Sequence, residues 1–195
     1  AGPGALFAAV PGFKTDGHDY LRQALDAGAA AVLVQADHEA KWRPVLAERR
    51  APAVAVPDAR TALAQAAAAL NGHPARRLTV IGVTGTDGKT SLAHLLSHVF
   101  TAADGLTGLV STAECRIGPE PLPDTGRFTT PEAPELQLML AAMAGAGCRW
   151  AVVEATSHGL ALHRVDGCEY DIAVFTNLGA DHMDFHGTRE EYMAA

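Results

Sequence analysis

The densest chemistry in this sequence lies in nine residues, Gly82-Val83-Thr84-Gly85-Thr86-Asp87-Gly88-Lys89-Thr90. Glycines let a backbone adopt positive φ and approach a ligand closely. A loop between a strand and a helix points its amides inward, and the helix N-terminus adds positive field, so the product is a phosphate cradle. Lys89 has the length to reach β and γ phosphates, and the Thr90 hydroxyl suits Mg²⁺. The common pattern G-x-x-x-x-G-K-[ST] is missed by one residue, because the glycine falls at 82 and Val83 occupies the patterned position. The context compensates, with an apolar run before the loop and helical spacing after it. The implied ligand is ATP. The plain alternative is a glycine-rich turn with an exposed lysine.

Other residues point toward the same edge. Glu154 ends the apolar run Trp150–Val153, and in an open α/β sheet ligands bind at the carboxyl ends of strands. A carboxylate there can ligate Mg²⁺, or simply cap the next turn. Asp181-His182-Met183-Asp184-Phe185-His186 follows the run Asp171–Thr176. His182 and His186 are four apart, so a zinc site on a helix is one reading. A hard-metal site using one imidazole is another, and a polar capping loop a third. His94 and His98 are also four apart but read as an exposed helical face, with no third ligand apparent. Ser157-His158 lacks the G-x-S-x-G elbow of a serine nucleophile; Thr156 and Ser157 suit a substrate phosphate better. Thr129-Thr130-Pro131 is a second hydroxyl pair, suited to an anion or to a plain N-cap.

These groups need a scaffold, and the pattern supplies one. Short β-prone runs alternate with helical periodicity, which predicts an α/β fold with a mostly parallel sheet. Strands are expected at Leu6–Val10, Ala31–Val34 and Ala53–Val56. A helix is expected over Gly17–Ala27, stopped by Gly28, and a weaker one over His38–Glu48, interrupted by Pro44. Asp58 caps an alanine-rich helix running to Leu70. The turn cluster Asn71-Gly72-His73-Pro74 marks a domain boundary. Beyond it come the strand Leu78–Val83, a helix from Lys89 to about Phe100 with Leu92, Leu95, Leu96, Val99 and Phe100 as its apolar set, and a proline-rich loop over Gly118–Arg127. A helix over Pro134–Ala144, the strands at Trp150 and Asp171, and a helix beginning at residue 189 complete the pattern.

Composition narrows the functions. The 195 residues carry a net charge of −7, which argues against a general nucleic-acid binder. The cysteines Cys115, Cys148 and Cys168 form no C-x-x-C pair, so a reducing cytoplasm fits better than a disulfide framework. No apolar run is long enough to cross a bilayer.

Set in order, Leu6–Ala31 (with Phe13-Lys14-Thr15-Asp16-Gly17-His18-Asp19-Tyr20), Gly82–Thr90, Thr129–Glu132, Glu154–Arg164 and Phe175–Gly187 resemble the Mur ligases. Within that family the match is strongest to the member adding the third residue of the peptidoglycan stem. The resemblance implies a Rossmann-like UDP-substrate domain over about residues 1–73 and a P-loop ATP domain over about 74–195. It also implies a third, amino-acid-binding domain, which these residues are expected to lack. It implies ATP-dependent amide formation through an acyl phosphate on UDP-N-acetylmuramoyl-L-alanyl-D-glutamate, with an amino acid as second substrate, in a monomeric cytoplasmic enzyme. Carried over, Gly85, Thr86, Asp87, Gly88, Lys89, Thr90 and Ser91 would cradle ATP. Thr90 and Glu154 would bind Mg²⁺, and His182 a second Mg²⁺. Lys89, Glu154 and His182 would form the catalytic set. Thr129, Thr130, Thr156 and Arg164 would contact the muramoyl-peptide end, and Lys14 and Thr15 would lie near the UDP group.

Some positions depart from the family pattern. Asp87 stands where asparagine is usual, and a carboxylate beside phosphates repels them unless it turns outward or meets a cation. Ser91 and Thr156 exchange one hydroxyl residue for another. Leu162 replaces a glutamine found in some members, and Gly179-Ala180 a more polar pair. The family's carbamylated lysine is expected directly after Ala195 and its uridine-binding serine before Ala1. Two other readings stand beside this one: a folylpolyglutamate- or cyanophycin-type ligase, and a nucleotide-binding module without ligase chemistry.

Overall fold

A computed structural model describes residues 2–122, 129–179 and 181–195. They separate into two compact units, Ala1–Leu63 and Ala64–Ala195. The division falls inside the helix Ala59–Leu70, ahead of the Asn71–Pro74 turn. The reason is that Ala64, Ala67 and Ala68 of that helix are buried, and Ala68 packs where a Cβ on Gly167 would fall.

In the first unit three parallel strands, β1 (Leu6–Ala8), β2 (Ala31–Gln35) and β3 (Ala53–Val56), lie in the order β1-β2-β3. Val32 and Val34 alternate to one face of β2 and are fully buried with Ala9 and Leu21. Helices α1 (Leu21–Asp26) and α2 (Glu39–Arg49) complete it, with Leu25, Trp42, Val45 and Leu46 packed on that core. The expected helix over 17–27 is two pieces. A 3₁₀ turn, Gly17–Tyr20, precedes α1 because the Asp16 carboxylate takes the His18 amide. Pro44 does not interrupt α2. It forgoes one backbone hydrogen bond, and the packing of Trp42, Val45 and Leu46 on either side holds the helix through it.

The second unit contains α3 (Ala59–Leu70) from Ala64 onward and a six-stranded sheet. Its strands are β4 (Thr79–Thr84), β5 (Thr107–Val110), β6 (Cys115–Ile117), β7 (Glu120–Pro121), β8 (Trp150–Glu154) and β9 (Ile172–Phe175). They lie in the order β7-β6-β5-β8-β4-β9. The neighbours from β5 to β9 run parallel, and β6 and β7 pair antiparallel at one edge. The expected loop over 118–127 therefore contains a short strand; residues 123–127 lie outside the described ones.

Two long helices cover the sheet. α4 (Lys89–Asp104) packs with Ile81, Val83, Leu109 and Val152. α5 (Ala133–Gly145) packs with Val80, Val110, Ala151 and Val153. Alternation along each strand divides the apolar residues between the two helices. On α4 the apolar assignment needs correction: Leu95 and Val99 are exposed, whereas Ala93 and Ser97 are fully buried. Small residues let α4 approach the sheet closely, and Leu92, Leu96 and Phe100 flank that contact. The short helices α6 (Ser157–Ala161), α7 (Met183–His186) and α8 (Arg189–Ala194) follow β8 and β9. Among the described residues no helix is long and apolar enough to cross a membrane.

Candidate active site

Parallel pairing decides which residues meet. In register, Val83 lies beside Glu154, Thr84 beside Phe175, and Val110 beside Val153. The carboxyl ends of β5, β8, β4 and β9 thus share one edge. That edge receives Thr112, Glu154, the Gly85–Lys89 loop and Asn177 from four separate stretches of chain.

The loop is built by glycine and clasped by asparagine. Gly85 has φ +128°, and a Cβ there would sit 2.1 Å from the Thr176 Oγ1. Gly88, at φ +80°, turns the chain into α4. The Thr86 amide donates to the Asn177 carbonyl (3.0 Å) and the Asp87 amide to Asn177 Oδ1 (3.1 Å). Asn177 Nδ2 returns a bond to the Asp87 carbonyl. Thr86 Oγ1 accepts from the Gly179 amide (2.8 Å) and meets the hydroxyl of buried Tyr192 at 2.9 Å. Lys89 Nζ donates to the Gly85 and Thr86 carbonyls, at 2.8 Å each, so the ammonium rests on the loop. Asp87 is exposed, so its carboxylate keeps its solvation. Ser91 is exposed on the first turn of α4.

Glu154 is 1 % exposed. Thr90 Oγ1 lies 2.9 and 3.1 Å from its two oxygens. The Thr112 amide donates to Oε2 (2.9 Å), which the Thr112 hydroxyl also approaches at 3.2 Å. Among the described residues no lysine or arginine pairs with it. A buried carboxylate without a cation is costly, and this one stands among hydroxyl oxygens. That donor set is the kind that fits a hard divalent ion.

Thr112 Oγ1 also reaches Thr129 Oγ1 at 3.0 Å, which leads into a cavity of about 220 Å³ lined by Thr129, Thr130, Thr156, His158, Arg164 and His182. All four residues expected at the muramoyl-peptide end are therefore gathered with His182. Thr130 is not an N-cap; that position on α5 is Glu132. The Thr130 hydroxyl instead donates to the Glu154 carbonyl (3.1 Å) and accepts the Thr156 amide (2.9 Å). Thr156 caps α6 through the Gly159 amide. Arg164, nearly buried, donates to the Thr130 carbonyl (3.1 Å) and pairs with Glu132 at 2.8 Å.

His182 and His186 do not form a helical ligand pair. His182 precedes α7 in the left-handed region, at φ +54°. Its ring stands edge-on to His158, with centroids 4.5 Å apart. His186 is buried, and its Nε2 lies 2.9 Å from Ser157 Oγ. No carboxylate backs His186 among the described residues, so the Ser157 contact lacks the third group of a nucleophilic triad. Burial first, then His182 and His186, hold the His158 imidazole below its ordinary pKa.

In the first unit, Lys14 and Thr15 are exposed at the tip of a turn closed by the Gly12 amide on the Thr15 carbonyl. Behind them Asp16, His18 and His38 bring their ligand atoms together. His18 Nε2 accepts the Gln35 amide (3.0 Å), so its proton is on Nδ1 and goes to Asp16 at 2.6 Å. Lys41 binds Asp16 and Asp19 at 2.8 and 2.9 Å. Both nitrogens of His18 are used within the unit, so the cluster is a structural clasp. Partial burial opposes charge on Asp16, but the bonds from Lys41 and from the His18 amide and ring outweigh it and hold the carboxyl well below the usual range.

Thr112, Asn177 and Tyr192 were not singled out as site residues by sequence. No local pattern marks Thr112 or Tyr192. Asn177 stood only at a strand end, which was the one available signal.

Residues 83–195 match the Mur ligase middle domain and residues 1–70 the model described as Mur ligase family, catalytic domain. The chain belongs to the Mur ligase family. It is 50 % identical over 195 residues to a UDP-N-acetylmuramyl-tripeptide synthetase of Roseiflexus sp. (strain RS-1), covering 97 % of this chain and 36 % of that protein. It is 45 % identical over 197 residues to a UDP-N-acetylmuramoyl-L-alanyl-D-glutamate–2,6-diaminopimelate ligase of Streptomyces coelicolor, covering 99 % and 37 %. A solved structure of a ligase with that second name superposes with TM-score 0.79 at 30 % identity, over 100 % of this chain and 37 % of that one. MurF of Thermotoga maritima, solved with ADP, gives 0.57 at 25 % identity, over 100 % and 39 %. The chain thus spans just over a third of the length of these relatives.

Proposed function

We propose that this chain carries the ATP site and most of the UDP-substrate domain of an ATP-dependent ligase of peptidoglycan precursor synthesis. Its reaction adds the third stem amino acid to UDP-N-acetylmuramoyl-L-alanyl-D-glutamate. One observation carries the reading: Thr90, Glu154, Thr112 and Thr129 form a continuous hydrogen-bonded path from the phosphate loop to the cavity holding Arg164. An acceptor carboxylate in that cavity would lie beside the γ phosphate.

In the proposed reaction the substrate carboxylate attacks the γ phosphorus and ADP departs, leaving an acyl phosphate. The amine of the incoming amino acid then attacks the acyl carbon, phosphate leaves, and the amide remains. The loop amides and Lys89 orient the phosphates and oppose their growing charge. Arg164 and the Thr129, Thr130 and Thr156 hydroxyls hold the acceptor. Thr90 and Glu154 would hold Mg²⁺, with His182 at a second ion. Mg²⁺ held there would supply charge neutralisation for the phosphates. Asp87, being exposed, is compatible with this role. Residues 1–73 would bind the UDP end, with Lys14 and Thr15 near it, and 74–195 the nucleotide. The free cysteines Cys115, Cys148 and Cys168 fit a cytoplasmic setting.

The test is ADP release and amide formation by the complete protein given ATP, Mg²⁺, UDP-muramoyl-dipeptide and an amino acid. Mass spectrometry should show the UDP-tripeptide. Stimulation by folate instead of the UDP substrate would move the reading to a folylpolyglutamate-type ligase. Binding of neither ATP nor the UDP substrate would overturn it.

A further inference from the structure

α4 carries a second ligand-bearing group that the proposed reaction leaves unused. His94 and His98 lie one helical turn apart on one face. Both line a cavity of about 460 Å³ together with Glu114 and Arg116. Sequence alone offered the pair no third ligand. The antiparallel pairing of β5 and β6, with Val110 opposite Cys115, folds Glu114 back against α4.

We propose that His94, His98 and Glu114 form a binding site for a borderline transition-metal ion, with Zn²⁺ as the reference case. His94 Nδ1 and Glu114 Oε1 are 3.7 Å apart. Adjacent ligand atoms around tetrahedral zinc, with bonds near 2.0–2.1 Å, are separated by roughly 3.3 Å, so two donors stand close to coordinating distance. The orientation of His94 is set from behind. With the Ser111 Oγ proton on the Glu114 carbonyl (3.1 Å), His94 Nε2 donates the 3.1 Å contact to Ser111 Oγ. The Nδ1 lone pair of the neutral ring is then directed to the cavity side, where Glu114 lies. This is how outer hydrogen bonds fix a ligating histidine. Arg116 Nε donates to Glu114 Oε1 at 2.9 Å, which orients the carboxylate without exhausting its acceptor capacity. His98, exposed on the same face, completes the set by a side-chain rotation. The Asp16–His18–His38 group is more compact, but its hydrogen bonds already occupy both His18 nitrogens.

Titrating the complete protein with Zn²⁺ by calorimetry, in saturating Mg²⁺ to occupy the oxygen sites, tests the proposal. The wild type should show a one-equivalent event. His98→Ala and Glu114→Gln alter exposed side chains and should each weaken it at least about tenfold, the scale on which even outer-shell losses act. His38→Ala should leave it unchanged. Substituting Co²⁺ should give a visible ligand-field spectrum that His98→Ala abolishes. The proposal fails if the wild type binds no Zn²⁺ at millimolar concentration, if both variants bind as it does, or if His38→Ala alone removes the event.

Discussion

Asp16 and Glu154 are both carboxylates wrapped in hydrogen bonds, yet they differ in what they leave open. Asp16 meets Lys41, the His18 amide and the His18 ring, so its charge is balanced within the first unit. Glu154 meets hydroxyls and one amide, with no side-chain cation among the described residues. A closed cluster holds backbone in place. An open one, deeper in the protein, presents oxygen donors of the kind a hard cation takes. Density of ligand-type residues would have ranked the two the other way.

The largest effect that could break this contrast is at Glu154. Glu154→Gln keeps the shape and removes the charge. Substrate-dependent ADP release should fall by about 10²–10³-fold, the scale of losing one main electrostatic contact in a transition state. The ligand-free protein should melt no lower, because an uncompensated buried charge has gone. A large drop in melting temperature would show that Glu154 belongs with Asp16.

Asp16→Asn should do the reverse. Loss of charge-assisted bonds should lower unfolding free energy by about 1–2 kcal/mol in denaturant melts, without changing the Mg²⁺ dependence of the reaction. Acid sharpens the same point. The Asp16 pKa is depressed in the folded state, so its contribution is present above the ordinary carboxyl value. It is lost as pH falls below about 4 toward the folded value. The stability gap between wild type and Asp16→Asn should therefore be constant from neutral pH downward and close only in that acid range. The smallest expected effect is at Asp87. Because the residue is exposed, its repulsion of phosphates is screened, and Asp87→Asn should tighten ATP binding no more than about threefold. A tenfold gain would place that carboxylate inside the phosphate cradle.

The parallel sheet and the strand-to-helix loop at 85–88 were legible because both have local signatures: alternating periodicities, and glycine, lysine and threonine at set offsets. Thr129, Thr130, Thr156 and Arg164 were legible through family resemblance, and folding gathers them. Thr112 was not, since only the pairing of β5 with β8 places its amide on Glu154. Pro44 misled because propensity is judged residue by residue, whereas Trp42, Val45 and Leu46 act together. His182 and His186 misled because spacing of four implies one face only if the helix exists, and the left-handed turn at His182 delays it. His94 and His98 had no carboxylate near them in the sequence pattern, and a strand reversal brings Glu114 to His94.

The clasp of Asn177 on the phosphate loop has a consequence in time. Its bonds to Asp87 span 90 positions of the chain. Synthesis proceeds at roughly 5–20 residues per second, so the loop leaves the ribosome on the order of ten seconds before its partner. During that interval the glycines that later permit a tight cradle leave the backbone free to sample other shapes. The loop is thus written early and assembled late, when β9 docks beside β4.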